Sequence, residues 1–456
     1  GVLVHLLSAA RVRPTNLALA HLSAIFSYAL ALYGTFLARS GLLGDFSVHS
    51  FSGTGVGLWL VAVDAIAVLA GLSLLVWRAG KFPKGSPYPA HRSREFFLLL
   101  GCLALTFLAI IVFIGMSMPL LTGLGGDSAA VDTGFYVKTS LPLAICMLLA
   151  MAAASLLRYG EGQASLPKAL IGAVFMGAAA AGLAGVREVS SLVLAGAAAA
   201  AVFASVLAWR GGALRLAAAV AHAGAALALF TIALAAAGTS TTLEFVPDEP
   251  QSFDRNSILY EGMDLSESRR EKEYVFRVDG EEVRALTKLS ASGEDAAREP
   301  AIAHGAAGDI YIAPSPAAVG HEIVLQRGRA ILEGDVAYRL EHVIEEEPDD
   351  EGRRLFLADI AVTDGETVDL AEVSLTAAGM KAATESFAVL NGKRRLRLLG
   401  ISEDKKSIML QILPAIEEEA RLPLTVSVGE KPLLWLLWLG AAFTFFGTSC
   451  ALRRRC

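Results

Sequence analysis

The chain has 456 residues, of which 54% are hydrophobic and 18% are charged, and its formal net charge at pH 7 is −6. This composition is typical of a polytopic membrane protein that carries one water-exposed domain. The basic residues flank apolar runs and form no groove-sized patch, so nothing in the sequence supports a nucleic-acid partner.

Eight apolar runs are long enough to cross the roughly 30 Å of hydrocarbon in a bilayer, and Gly1–Ala10 resembles the end of one more. The sequence therefore predicts a polytopic α-helical membrane protein with about eight to nine spans. The eight complete runs are Leu17–Ala38, Val56–Trp77, Phe96–Met116, Leu141–Leu157, Ala169–Val186, Leu192–Trp209, Leu216–Ala237 and Pro432–Leu452.

The distribution of Lys and Arg predicts the orientation of these spans. If the loop of residues 77–95 is cytoplasmic, strict alternation puts 14 basic and two acidic residues on that face, here called the basic face. The opposite face receives Thr241–Glu430, which has 38 acidic and 21 basic residues and a net charge of −17, whereas the rest of the chain carries +11. We therefore expect a membrane domain over residues 1–240, truncated at its N-terminus, an extracytoplasmic domain over 241–430, and a C-terminal span with a basic cytoplasmic end over 431–456.

The acidic region has the turn pattern of an all-β domain. Strand-like runs flank Asp279–Gly280 and Asn391–Gly392, and another precedes Asp364–Gly365. Such two-residue turns suit hairpins because Gly and Asn tolerate positive φ angles. A region of about 190 residues is large enough for one barrel or sandwich core.

Two histidines from different predicted helices lie at the same depth. His5 precedes Arg11 by six residues and His222 follows Arg215 by seven, so both imidazoles lie roughly 10 Å inside the basic face. Ionisable groups are costly in hydrocarbon, and a pair at equal height favours two axial ligands for one metal, with haem iron as the candidate.

Two alternatives remain open on these grounds. His21 reaches a similar depth on the next helix, so depth narrows the ligand pair only to two of three histidines. The small residues around His222 allow close approach either of a flat macrocycle or of a neighbouring helix.

Three further residues have less certain roles. On its own, His49 is an ordinary residue of a short outer loop. Arg39, at the outer end of its span, could snorkel to the headgroups or pair with a carboxylate such as a haem propionate. Asp64 lies well inside a span, where it marks an ion path or a hydrogen-bonded packing group, and the second interpretation is favoured because no other buried carboxylate accompanies it.

Several catalytic classes lack their motifs in this sequence. No C-x-x-C or C-x-x-C-H occurs, so the chain is neither a thiol redox enzyme of that type nor itself a c-type cytochrome. There is also no nucleotide-binding loop, G-x-S-x-G elbow or H-E-x-x-H motif. ATP-driven and hydrolytic functions therefore have no support.

Six segments, taken in order, resemble the CcmF haem lyase family of bacterial cytochrome c maturation and its NrfE-type relatives. The tryptophan-rich WWD segment of that family and its other external histidine do not occur here. The resemblance therefore predicts the C-terminal portion of such a protein, the remainder being left out or a separate polypeptide. The segments are VLVHLLSA at Val2–Ala9, GTFLARSG at Gly34–Gly41, SVHSF at Ser47–Phe51, SREFFLLL at Ser93–Leu100, AHAG at Ala221–Gly224 and KPLLWLLWLG at Lys431–Gly440.

The resemblance implies roles for individual residues. His5 and His222 match the two intramembrane histidines that ligate a b-type haem, whereas His21 matches no such position. His49 matches an external histidine that holds the delivered haem during catalysis, which reverses its interpretation as an ordinary loop residue. Arg39, whose position at the end of its span allows a bond to a haem carboxylate, is added to these cofactor-binding candidates.

The resemblance also implies a reaction and its partners. Haem delivered by the chaperone CcmE is attached to an apocytochrome c through the two thiols of a C-x-x-C-H motif. Further expected partners are a CcmH-type thiol oxidoreductase subunit, quinol as the reductant, and the lipid of the bacterial inner membrane, with the β domain in the periplasm. The sequence does not separate a general CcmF from an NrfE-type lyase.

Two functions of other classes remain as alternatives. The chain could be a transporter that uses Asp64 and captures substrate with its β domain, or a structural subunit of a membrane complex.

Overall fold

The computed structural model describes residues 1–40, 56–124, 129–159, 168–265, 271–289, 295–315, 319–348, 354–365, 367–378, 381–384 and 386–453. Within these ranges, seven helices are long and apolar enough to cross a membrane, and two shorter apolar helices accompany them. This confirms the prediction of a polytopic helical membrane protein. The helices are α1 (Val2–Val12), α2 (Leu17–Arg39), α3 (Gly57–Arg78), α4 (Arg94–Gly123), α5 (Thr133–Leu156), α6 (Ala169–Leu183), α7 (Val189–Arg210), α8 (Leu216–Leu234), α9 (Ile416–Glu419) and α10 (Trp435–Arg453).

Side-chain caps fix where two of the long helices begin. The Ser93 hydroxyl accepts a hydrogen bond from the Phe96 N–H at 3.2 Å, and the Asp132 carboxylate accepts one from the Phe135 N–H at 3.1 Å. Each bond satisfies one of the N–H groups that a helix leaves unpaired in its first turn. Helix α6 ends three residues before its apolar run does, because Gly185 takes a left-handed conformation with φ 105°.

Hydrogen bonds gather several connecting segments at one end of the helix bundle. Thr15 and Asn16, at the start of α2, donate to the carbonyls of Ser86 and Pro87 in the loop before α4. Arg94 likewise donates hydrogen bonds to the Leu157 carbonyl at the end of α5 and to the Ala213 carbonyl after α7. These segments carry the basic residues that defined the basic face, and the structure confirms that they share one end of the bundle.

The named strands of the acidic region pair antiparallel, and the short helix α9 lies among them. Asp279–Gly280 is the predicted two-residue turn, whereas Asn391–Gly392 lies in a four-residue loop between Val389 and Arg394. Asp279 and Gly280 have φ angles of 48° and 93°, and Asn391 and Gly392 have 57° and 84°, so each hairpin turn uses the left-handed region. The strands form four sheets, in the orders β1-β18-β8-β7, β2-β3-β4-β5-β6, β10-β11-β12-β13-β14 and β15-β16-β17-β9.

These sheets enclose two separate hydrophobic cores where one was expected. The first core, with Phe245, Tyr260 and Phe276, lies between the first two sheets, here called the first sandwich. Its strands are β1 (Ser240–Phe245), β2 (Pro250–Phe253), β3 (Asn256–Leu265), β4 (Glu271–Val278), β5 (Glu281–Leu289), β6 (Asp295–Glu299), β7 (Ala301–Ala303), β8 (Gly308–Pro314) and β18 (Leu424–Pro432).

The second core, with Tyr338 and Leu396, lies between the other two sheets, here called the second sandwich. In sequence, the second sandwich is inserted between β8 and β18 of the first. Its strands are β9 (His321–Gln326), β10 (Ala330–Glu333), β11 (Val336–Glu345), β12 (Arg354–Asp364), β13 (Thr367–Ala378), β14 (Lys381–Thr384), β15 (Ser386–Val389), β16 (Arg394–Ile401) and β17 (Ser407–Pro414).

A buried ionic cluster joins the two sandwiches. Glu419, at the end of α9, accepts a hydrogen bond from Lys272 of the first sandwich at 2.7 Å and is also bonded to Arg395 of the second. All three side chains are at most 15% exposed. The carboxylate is thus shared by one cation from each sandwich, an arrangement that offsets the cost of burying the three charges.

Candidate functional site

The structure brings the imidazoles of His5 and His222 together inside the helix bundle. Their ring centroids are 5.8 Å apart and their planes differ by 16°. Helix α1 carries His5 and packs on α2 and α4, whereas α8 carries His222 and packs on α7 and α10. The two side chains therefore meet from opposite parts of the bundle.

Hydrogen bonds at Nδ1 orient both rings. His5 Nδ1 donates to the Gly1 carbonyl oxygen at 2.9 Å. Because a carbonyl can only accept, this bond places the proton of neutral His5 on Nδ1 and leaves a lone pair on Nε2. His222 Nδ1 lies 3.4 Å from the Ser155 hydroxyl of α5. Bonds of this kind at the second nitrogen are the usual companions of a metal-ligating imidazole.

The position of His21 decides which two of the three histidines at similar depth form the pair. His21 Nδ1 donates to the Leu17 carbonyl at 2.7 Å, and its exposed ring lies 5.4 Å from the ring of Phe82. It therefore packs beside the loop after α3, and the stacked pair consists of His5 and His222.

The spacing of the pair fits two axial ligands of one haem iron. Metal–imidazole bonds are about 2 Å long, so two imidazoles on opposite sides of one metal have ring centroids roughly 6 Å apart. Among the residues that the structure describes, no group of three or more His, Cys, Asp or Glu side chains could hold a metal ion. A macrocycle that supplies four nitrogens of its own matches a site with only two protein ligands.

The small residues near His222 contact a neighbouring helix. A Cβ atom added to Gly440 of α10 would lie 2.7 Å from the Gly224 carbonyl of α8, and one added to Gly447 would lie 2.5 Å from the Ala221 nitrogen. The two backbones therefore touch along this stripe, as small residues permit in membrane helices. The stripe serves helix packing, which answers the question that the sequence had left open.

Arg94 and Glu95, in the SREFFLLL segment, lie at the basic end of the same helices. Arg94 donates to two backbone carbonyls at 3.2 Å each, and its guanidinium lies 4.5 Å from the centre of the Tyr159 ring. Glu95 is fully buried, and its carboxylate lies 3.6 Å from Arg13 Nε. Sequence analysis assigned these residues no role, although their segment contributed to the family resemblance.

Asp64 lines a cavity of about 1000 Å³ between α1, α2, α3 and α4. The lining is mostly apolar, with Tyr33 and Thr106 among its few polar residues. One Asp64 oxygen, Oδ1, is buried and has no hydrogen-bond partner within the described ranges. The hydrogen bond expected for a packing group is therefore not made by this oxygen.

The remaining predicted residues do not join the pair. His49 lies outside the described residues, so its predicted place beside the delivered haem stays a prediction. Arg39 is exposed at the C-terminal end of α2, opposite the basic end of that helix.

Known cytochrome c-type biogenesis proteins are similar to part of this chain. CycK of Bradyrhizobium diazoefficiens is 33% identical over 144 residues, which cover 31% of this chain and 21% of CycK. CcmF of Pseudomonas aeruginosa is 33% identical over 161 residues, which cover 35% of this chain and 24% of that CcmF. The match thus spans about a quarter or less of the length of these relatives.

A solved structure of cytochrome c heme lyase CcmF is also similar, with a TM-score of 0.46 and 16% identity over 98% of this chain and 56% of that one. No protein-family model matches the chain. The probable cytochrome c-type biogenesis protein NrfE of Escherichia coli is 32% identical over 157 residues, which cover 34% of this chain and 28% of NrfE. Over about a third of its length the chain is thus similar to CcmF, CycK and NrfE proteins, which are named as cytochrome c-type biogenesis proteins.

Proposed function

We propose that the chain acts in cytochrome c maturation as part of a haem lyase, and that His5 and His222 ligate a b-type haem within the membrane. The observation that carries this proposal is the pair of nearly parallel imidazoles, whose ring centroids are 5.8 Å apart. The names of the relatives supply the biological context, because they are cytochrome c-type biogenesis proteins.

The protein's part in this chemistry is to hold and orient. Neutral His5 presents Nε2 because its Nδ1 proton is bonded to the Gly1 carbonyl, and Ser155 restrains the ring of His222. His5 and His222 would hold the haem iron as neutral imidazoles, and a haem held in this way would be suited to electron transfer. When bound, the b-type haem supplies one-electron transfer, with quinol as the proposed donor.

The substrate side of the proposal rests on His49 and on the partners. His49 holds the iron of the haem delivered by the chaperone CcmE. The two thiols of a C-x-x-C-H motif in apocytochrome c, kept reduced by a CcmH-type subunit, add across the two vinyl groups of that haem. Each addition forms one thioether bond and moves the thiol hydrogen to the neighbouring vinyl carbon. We place this step on the periplasmic side of the bacterial inner membrane.

The direct test is the absorption spectrum of the purified chain. We expect a b-type reduced-minus-oxidised spectrum in the native protein, and its loss in His222→Ala and in His5→Ala. His21→Ala is the matched control, because His21 lies at a similar depth outside the pair. A folded but colourless native protein, or a spectrum that is lost only in His21→Ala, would contradict the assignment.

The same preparations test His49. His49→Ala is expected to keep the b-type spectrum and to stop covalent haem attachment to a co-produced apocytochrome c. Normal attachment in that variant would remove His49 from the delivered-haem site.

A transporter that uses Asp64 is the second candidate. It is favoured by the cavity between α1 and α4 and by the unpartnered Oδ1 oxygen there, since intramembrane carboxylates often line ion paths. A colourless protein whose ion uptake in liposomes depends on Asp64 would establish this function in place of haem binding.

A further inference from the structure

Arg94 bridges the two segments that position His222. Its Nη1 donates at 3.2 Å to the Leu157 carbonyl, two residues after Ser155 at the end of α5. It also donates at 3.2 Å to the Ala213 carbonyl, in the connection that leads into α8. The same guanidinium is therefore attached both to the helix that carries the hydrogen-bond partner of His222 and to the approach of the helix that carries His222 itself.

Helix α4 extends this connection to the other histidine. The thiol of Cys102 lies 4.0 Å from the Val2 carbonyl, one turn before His5. Arg94 and Cys102 are eight residues apart, which places them on α4 about 12 Å from each other along the axis. One helix thus contacts the segments that carry both members of the histidine pair.

Among the described residues, the hydrogen bonds of Arg94 involve only part of its guanidinium group. A guanidinium has five N–H donors, and the two carbonyl bonds involve Nη1 alone. In the part of the chain that the structure describes, Nε and Nη2 of Arg94 make no further hydrogen bond. The neighbouring carboxylate, Glu95, is paired with Arg13.

A fixed cation with spare donors, attached to the segments that position His222, suits an anionic oxygen group. Arginine binds carboxylates well because its planar fork can donate two parallel hydrogen bonds. An unpaired carboxylate is costly in the hydrocarbon interior, so a cofactor carboxylate near these segments would be stabilised by such a donor.

We propose that Arg94 binds a carboxylate of the tetrapyrrole held by His5 and His222 and thereby holds its iron at a higher redox potential. The inference rests on the proposed haem site and goes beyond it by naming the residue that recognises the acidic edge of the cofactor. The positive charge opposes the extra positive charge of ferric iron, so it favours the reduced state.

The test measures the midpoint potential of the bound b-type haem in the full chain. Arg94→Gln is expected to keep the bis-histidine absorption maxima and to lower the midpoint potential, whereas Arg94→Lys, which keeps the charge, stays closer to the native value. Arg92→Gln, an exposed arginine in the same loop, is the matched control and should leave the potential unchanged.

A second arm tests the carboxylate itself. The native chain should bind haem dimethyl ester, whose esterified carboxylates are neutral and cannot pair with Arg94 as anions, more weakly than it binds haem. In Arg94→Gln, haem and its dimethyl ester should bind with similar affinity. Equal ester effects in the two proteins, or a native potential in Arg94→Gln, would overturn the proposal and leave Arg94 as a link between helices. A native chain that binds neither haem nor the ester would instead defeat the proposed function, and this inference with it.

Discussion

At the scale of single residues, the depth of the histidines along their helices predicted that His5 and His222 lie at the same height in the membrane. Counting from Arg11 and Arg215 placed His5 and His222 at one height, and the structure stacks their rings. Depth could not choose between His5 and His21, because it says nothing about the direction in which a side chain points. Only the packing of α2 against the Phe82 loop separates the two.

The residues that support the pair could not be predicted by counting. Ser155 lies 67 positions from His222 and bonds to it only because α5 and α8 converge on α7. Arg94 reaches carbonyls 63 and 119 positions away. Such long-range contacts depend on the three-dimensional arrangement of the helices, which local sequence patterns do not specify. The SRE triplet before the α4 run was the available signal for Arg94.

Asp64 gives a prediction at this scale. Its Oδ1 oxygen is buried in an apolar cavity without a partner among the described residues, and an unpaired buried polar atom costs about 1–3 kcal/mol. We expect Asp64→Leu to unfold at a temperature equal to or above that of the native chain, measured by thermal unfolding in detergent, and to keep the b-type spectrum. Marked destabilisation would show that Asp64 has a structural partner.

At the scale of elements, short-range turn chemistry predicted the hairpins. The Asp279–Gly280 and Asn391–Gly392 pairs adopt positive φ angles and join paired strands. The end of α6 was less predictable, because an apolar run shows where a segment could lie in lipid and not where its backbone leaves the helix. Gly185 marks that end.

The contact between α8 and α10 gives a prediction at the scale of elements. A side chain at Gly440 would collide with the backbone of Gly224 and Ala228, so Gly440→Leu must push the two helices apart. We expect a loss of about 1–3 kcal/mol in the free energy of unfolding, measured by denaturation in detergent. Gly172→Leu is the control, since that glycine of α6 faces open space. Equal stability of both variants would contradict the close packing of α8 and α10.

At the scale of the whole molecule, charge and hydropathy predicted a helical membrane protein with a β domain, and the structure has both membrane-length helices and a β-rich region. Charge and hydropathy did not reveal that the β part has two cores. Turn signals define which strands are neighbours in sequence, but the choice of which sheets face each other depends on side chains far apart in the chain. The return of β18 to β8, after the whole second sandwich, is such a long-range pairing.

The ionic cluster between the sandwiches gives the prediction at this scale. Burial raises the pKa of Glu419, but Lys272 and Arg395 lower it by more, so the net pKa lies below its ordinary value. A depressed carboxylate pKa contributes stability above the unfolded value of about 4.3, and that contribution is lost as the pH falls through the folded value. At pH 7, Glu419→Gln leaves two buried cations without their anion and should cost on the order of 3 kcal/mol.

Hydrogen exchange of the full chain measures this effect. Glu419→Gln should accelerate exchange in β4 and β16 at pH 7, and its difference from the native chain should shrink in strongly acidic solution, where the native carboxyl group is also protonated. The control is Glu418→Gln. Glu418 also pairs with an arginine, Arg394 at 3.5 Å, but its side chain is 60% exposed, so loss of its charge should have little effect. A difference that is constant down to the lowest pH would contradict the role of the Glu419 charge.

The connection between the β part and the membrane part has a mechanical consequence. Strand β1 follows directly after α8, β18 leads directly into α10, β1 pairs with β18, and α8 packs on α10. The indole of Trp435 also bonds to the Ala306 carbonyl of the first sandwich at 3.2 Å. The first sandwich is thus joined to the membrane helices by two chain connections that lie side by side, one through β1 and α8 and one through β18 and α10. A change in the tilt of the first sandwich would therefore act on α8 and α10 together, and α8 carries His222.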